Sequence, residues 1–329
     1  MNYFKLFLFC LLPLTAFSQY SPVPIDNGYK GGHIKGITKT PNSLDFILFG
    51  DWGRNGEYFQ KDVAKQMSRA IYDLGAEFLV VTGDNFYPDG VASTRDSHWE
   101  HSLESVYTTQ ALQHNWYVVL GNHDYHGNPN AEIEYTKVSR RWNMPARYYS
   151  KRINLNGDST QQLLMLFMDT SPFIKDYYTG SGAVADSLRR QDTTAQKTWL
   201  IRLLSDPNPN IKWKIVVGHH PLYSGSKRLD ATSTFDMRNS FKDIFEKYKV
   251  DFYLCGHEHN LQALKTVGHT RYFISGAGSE AENGYFKPEN NLFGAAQGGF
   301  MTFSIQPKQA LVQVINYKGK ILYKETIKK

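Results

Sequence analysis

The chain has 329 residues, enough for one large α/β domain, and its 21 Tyr and 20 Phe supply the bulk for a sizeable core. Its formal net charge of +6 comes from scattered basic residues. Without an Arg-rich helix or an aromatic-interleaved basic patch, nucleic acid is not expected as the main partner, and the charge reads as a solvated surface that favours anionic substrates.

At the N-terminus Lys5 precedes an apolar run from Leu6 to Leu14, and Ala16-Phe17-Ser18 follows, a pattern that suits signal peptidase. The expectation is a signal peptide over residues 1–18, an N-terminal extension over 19–43, a single domain over 44–329, and export to the periplasm or outside the cell. The run falls well short of the roughly 20 apolar residues of a membrane span, so no stable span is expected. Cys10 follows Phe9 rather than a small residue, which argues against a lipid anchor. Cleavage leaves Cys255 alone, so no internal disulfide forms. No N-x-S/T sequon occurs, which favours a bacterial exported protein.

From residue 46 onward one phrase recurs: a short apolar run ends in Gly, and a residue able to bind metal follows. Phe46-Ile47-Leu48-Phe49-Gly50 leads to Asp51. A helix is predicted next, with Phe59, Val63, Met67, Ile71 and Leu74 at three- and four-residue spacing and Gly75 closing it. Phe78 to Gly83 leads to Asp84, and Trp116 to Gly121 leads to Asn122. Gln196 to Leu204 reads as a helix, Lys214 to Gly218 leads to His219, and Phe241, Ile244, Phe245 and Tyr248 mark another helix. Phe252 to Gly256 leads to His257, with His259 two residues on. The remainder is all strand: Gly299–Ile305, Ala310–Asn316 and Ile321–Ile327.

The five runs are rich in β-branched and aromatic residues, as buried strands are. Each presents a polar side chain at its C-terminal end, the edge where open α/β sheets bind ligands. One strand-end Asp is ordinarily a helix cap and one His a satisfied polar group; five together need a common reason. Asp51, Asp84, Asn122, His219, His257 and His259 mix oxygen donors with imidazole, which suits Zn, Mn or Fe. Six ligands exceed what one tetrahedral site uses and suit two metals sharing a bridging carboxylate.

In order, Gly50-Asp51-Trp52-Gly53, Gly83-Asp84-Asn85-Phe86-Tyr87, Gly121-Asn122-His123-Asp124, Gly218-His219-His220 and Gly256-His257-Glu258-His259 resemble the five motifs of the calcineurin-like metallophosphoesterases. With Tyr87 three residues after Asp84, and Ile274-Ser275-Gly276-Ala277-Gly278 further on, the chain is similar to the small, tartrate-resistant purple acid phosphatases over about residues 44 to 305. The resemblance implies a four-layer α/β/β/α sandwich of two mixed sheets flanked by helices. It implies Fe(III) at Asp51, Asp84, Tyr87 and His259, and Fe(II), Zn(II) or Mn(II) at Asp84, Asn122, His219 and His257, with Asp84 bridging.

The implied activity is hydrolysis of a small phosphate monoester by in-line attack of a metal-bound hydroxide. His123 is the expected proton donor or phosphate-binding group, and Asp124 is read either as orienting the His123 imidazole or as a turn cap. The stretch Tyr223-Ser224-Gly225-Ser226-Lys227-Arg228 lacks a histidine that tartrate-resistant enzymes usually carry. Lys227 or Arg228 is then left to bind phosphate. His220 is expected to pack or support the site rather than react, and the other histidines, His126 least securely, are read as structural. A phosphodiesterase or nucleotidase of the same fold is the alternative reaction. A non-catalytic phosphate-binding surface protein is the other alternative, and it is disfavoured because no ligand is missing. Protein partners are not indicated.

Overall fold

The computed structural model describes residues 31–329, so the expected signal peptide and Cys10 lie outside the described residues. Strand β1 (Leu44–Phe49) is buried at every position, as befits a strand covered on both faces. Helix α1 (Gln60–Leu74) stops where Gly75 turns left-handed at φ 77° and returns its N–H to the Ile71 carbonyl. Strands β2 (Phe78–Val81) and β3 (Asn115–Val118) run parallel to β1. After the short helix α2 (Pro129–Tyr135), β4 (Trp142–Asn143) pairs with β3.

A hairpin of β5 (Tyr149–Leu155) and β6 (Asp158–Phe167) starts a second sheet. Three helices follow, α3 (Lys175–Thr179), α4 (Ala183–Arg189) and α5 (Thr193–Leu204). Then come β7 (Ile211–Val217), α6 (Thr232–Tyr248), β8 (Phe252–Cys255), β9 (Leu261–Leu264), β10 (Arg271–Ser275) and β11 (Asn291–Ala295). The chain returns to the first sheet as a meander, β12 (Gly299–Gln306), β13 (Gln309–Asn316) and β14 (Ile321–Lys328).

Both sheets have seven strands, in the orders β14-β13-β12-β1-β2-β3-β4 and β11-β9-β10-β8-β7-β6-β5, and both mix parallel with antiparallel pairs. Side-chain alternation builds the layers. Along β6, Leu163, Met165 and Phe167 enter the core shared with the first sheet, while Leu164 and Leu166 pack with Leu200 and Leu204 of α5 and Phe241 and Phe245 of α6. Phe303 of β12 meets Phe252 and Phe273 across the sheets, ring centroids 5.9 and 5.3 Å apart. Truncating a fully buried ring such as Phe303 costs about 3–5 kcal/mol. On the first sheet α1 packs against β1 and β12. This is the expected sandwich of two mixed sheets flanked by helices.

Register explains why the site forms. Phe49, Val81 and Val118 are level in β1, β2 and β3, and Val217 is level with Leu254 in β7 and β8. The three strands of the first sheet therefore end together, as do the two of the second, and hydrogen bonds join the two edges. Within the first edge the Asp51 N–H donates to the Gly83 carbonyl at 3.0 Å; across the two edges His219 Nδ1 donates to the Thr82 carbonyl at 2.8 Å and the His257 N–H to the Asp51 carboxylate at 3.1 Å. No helix among the described residues is long and apolar enough to cross a membrane. Cys255 is a free, buried thiol.

Candidate metal centre

The strand-end residues sit on strained backbone. Asp51, Asp84 and His257 have φ of 57°, 47° and 70°, in the left-handed region that non-glycine residues seldom occupy. The glycines of the recurring phrase are required by close approach. A Cβ at Gly121 would collide with the Asp84 carboxylate, and one at Gly256 with the Asp51 carboxylate.

The side chains turn their lone pairs toward one another. The Tyr87 hydroxyl lies 3.2 Å from Asp51 Oδ1, 3.0 Å from Asp84 Oδ2 and 3.0 Å from His259 Nε2. A phenol has one hydrogen and cannot satisfy all three. His219 donates from Nδ1 to Thr82, so its Nε2 carries the lone pair in the neutral ring. That Nε2 faces Asn122 Oδ1 at 3.2 Å, His257 Nδ1 at 3.1 Å and Asp84 Oδ2 at 3.3 Å. The ligand atoms of Asp51, Asp84 and His219 all fall within 4.8 Å of one another. Seven convergent donors with too few hydrogens between them fit bound cations, and Asp84 stands between the two groups.

Protonation in the metal-free protein follows the same geometry. Burial pushes Asp51 well above the ordinary carboxylate range and pushes the Tyr87 phenol up, the latter with help from the Asp51 and Asp84 charges. Burial pulls on His219, but the Asp84 carboxylate overrides it and raises the ring to about 9; Asp84 is held below its usual value, burial opposing and His219 winning. Burial lowers His257 far below normal, and burial with the Arg54 charge lowers His259 to about 4. Neutral His257 and His259 are in the form that binds metal.

His123 stands at the rim, its ring centroid 4.5 Å from that of Tyr87. Its Nδ1–H donates to the Pro88 carbonyl at 2.5 Å and its backbone N–H to Asp84 Oδ1 at 2.9 Å, which leaves Nε2 as the ring's available nitrogen. Asp124 does not orient that imidazole. Its carboxylate instead accepts the backbone N–H groups of Asn85 and Gly121 at 2.8 and 2.7 Å, tying the Asp84 and Asn122 loops together, which is the turn-cap reading. His220 is buried with Nδ1 on the Thr170 hydroxyl at 2.8 Å and Nε2 on the Tyr177 hydroxyl at 3.1 Å. Both nitrogens are engaged, as expected of a supporting residue. His126 lies 3.3 Å from Asp89, and His269 lies 3.3 Å from Asp251.

In the stretch without a histidine, Lys227 is ion-paired to Glu282. Arg228 has a buried Nε with no hydrogen-bond partner among the described residues, and its charge acts on His257 and His259. One site feature escaped the sequence reading. The Arg54 guanidinium lies 3.7 Å from the centre of the Tyr87 ring and pairs with Glu280 at 2.9 Å. Its only sequence signal is that Arg54 directly follows Gly53 of the first motif.

The calcineurin-like phosphoesterase family matches residues 44–261 of the chain. The chain is 33% identical over 300 residues to purple acid phosphatase 7 of Arabidopsis thaliana, a match covering 88% of each. It is 32% identical over 323 residues to tartrate-resistant acid phosphatase type 5 of Oryctolagus cuniculus, covering 90% of this chain and 93% of that one. Among solved structures, GAP50, the anchor in the inner membrane complex of Plasmodium, aligns with a TM-score of 0.73 at 22% identity, covering 87% of this chain and 89% of that one. That last likeness is one of fold alone. The extent of the sequence matches, together with five motifs gathered where the strand ends of the two sheets meet, shows that the chain belongs to the calcineurin-like phosphoesterases and, within them, to the purple acid phosphatases of the tartrate-resistant type.

Proposed function

We propose that this chain is an exported acid phosphatase that hydrolyses small phosphate monoesters at a dinuclear metal centre. The observation that carries the reading is the convergence of seven donor side chains whose lone pairs face each other. Asp51, Asp84, Tyr87 and His259 would hold Fe(III), and Asp84, Asn122, His219 and His257 would hold Fe(II), Zn(II) or Mn(II), with Asp84 common to both donor sets.

The two ions, when bound, supply Lewis-acid polarisation of the phosphoryl oxygens and acidify a water. The chain's own residues do the rest. A water that has released one proton to solvent bonds through its oxygen to phosphorus as the P–O bond to the alcohol breaks; His123, as the imidazolium, gives the proton on Nε2 to the departing oxygen, its ring held by Pro88, and takes a proton back from solvent. Arg228 is left to draw in the phosphate, since Lys227 is taken up by Glu282. The mature chain is residues 19–329, with the domain proper from residue 44.

The test is kcat/KM of the purified protein on a monoester, such as phenyl phosphate, against a bis-ester such as bis(4-nitrophenyl) phosphate. Clear preference for the monoester is expected. Preference for the bis-ester would make the protein a phosphodiesterase of the same fold.

A further inference from the structure

Next to Asn122 a partly open cavity of about 220 Å³ lies between the Asn122 loop and helix α4. Tyr125, Ser171, Tyr177, Val184 and Leu188 form most of its wall. Both tyrosine hydroxyls are engaged elsewhere. That of Tyr125 donates to Asp169 and accepts from Arg147 Nη1 at 2.8 Å, and that of Tyr177 bonds to His220 Nε2 at 3.1 Å. With Val184 and Leu188, the tyrosine rings make most of the wall apolar. The polar part of the lining is Asn122, His126, whose Nδ1 lies 3.3 Å from Asp89, and Ser171; of these Ser171 is fully buried, and its Oγ has no hydrogen-bond partner among the described residues. An unmade hydrogen bond at a buried hydroxyl is costly, so an occupant that supplies one is favoured.

Size narrows the occupant. A cavity of about 150 Å³ lined by apolar side chains holds one benzene ring. The cavity here therefore has room for one ring with a substituent. Asn122, a proposed ligand of the divalent ion, forms part of the boundary, so a group in the cavity lies beside the reacting phosphate. Resting on the phosphatase reading above, we infer that this cavity seats the alcohol half of the substrate, a single-ring aromatic group carrying one hydrogen-bonding substituent, with Ser171 as its polar contact. The two short helices α3 and α4 thus act as the specificity element of the enzyme.

The test compares kcat/KM for phenyl, 3-hydroxyphenyl and ethyl phosphate in wild type and variants; dividing each variant's ratio between esters by the wild-type ratio cancels their different intrinsic reactivities. Val184→Trp, at a partly exposed wall position, fills the cavity and is expected to lower the phenyl-to-ethyl ratio about tenfold. Ser171→Ala is expected to lower the 3-hydroxyphenyl-to-phenyl ratio about tenfold. Should Val184→Trp fail to fold, as judged by circular dichroism, Leu188→Ala tests the same wall by enlargement and is expected to raise the naphthyl-to-phenyl ratio. Ratios that stay at wild-type values in the folded variants overturn the inference and leave the phosphatase reading intact. A wild-type protein inactive on all these esters overturns the phosphatase reading, and the inference with it.

Discussion

Removal of His123 separates proton donation from metal binding. The structure gives the imidazole one fixed contact, Nδ1–H to the Pro88 carbonyl, and places the ring beside Tyr87 without making it one of the seven convergent donors. His123→Ala therefore keeps both metals and loses the proton for the leaving oxygen. General acid help is worth about 10²–10⁴-fold, or about 3–5 kcal/mol at 1.36 kcal/mol per decade. That help matters most for a poor leaving group. On ethyl phosphate kcat should fall by roughly 10³-fold, whereas on 4-nitrophenyl phosphate, whose leaving group departs as a stable anion, the fall should be nearer tenfold. Steady-state kinetics on the two esters, with metal content measured on the same samples, decides the matter. Equal losses on both esters would make His123 a phosphate-binding residue, and loss of a metal ion would make it a ligand.

Three further outcomes are expected. With iron bound and oxidised, the protein should absorb broadly in the visible through charge transfer from the Tyr87 phenolate. Tyr87→Phe should abolish the band, and Arg54→Ala, which removes a cation 3.7 Å from the ring centre, should move it to longer wavelength. A colourless, iron-free enzyme that is fully active with zinc or manganese would refute the ferric assignment. Asn122→Ala should weaken the divalent site chiefly, so that titration with a chelator strips that ion first; simultaneous loss of both ions would place Asn122 elsewhere. Burial holds Asp169 up at about 6 against the pull of Arg147 and Tyr125. The native state then binds a proton that the unfolded chain releases above 3.8. This contribution is present at low pH and is lost as pH rises through 6. The difference in unfolding free energy between wild type and Asp169→Asn should change by up to about 3 kcal/mol from pH 4 to 7, wild type losing ground; a constant difference would contradict the burial argument.

The site was legible in the sequence to the extent that backbone demands left a mark. Gly50, Gly83, Gly121, Gly218 and Gly256 end their strands where another side chain crowds the backbone, and that made the donors after them conspicuous. The C-terminal meander and α1 were readable to within about a residue because their apolar periodicity is strong. Helix α6 was only half visible, since its first turns, Thr232 to Arg238, are mostly polar. The β5–β6 hairpin was not foreseen: β5 edges its sheet and carries Lys151, Arg152 and Asn154, so it lacks an apolar run. The role of Asp124 and the stacking of Arg54 on Tyr87 depend on loops meeting in space, and local spacing carries no trace of such meetings.

The central claim is that Asp84 joins two ions in one centre, and metal stoichiometry tests it most directly. Inductively coupled plasma mass spectrometry on the purified chain should find two metal ions per molecule in wild type. Asp84→Ala should lose both ions together with phosphatase activity. An Asp84→Ala protein that keeps two ions and turns over normally would contradict the account.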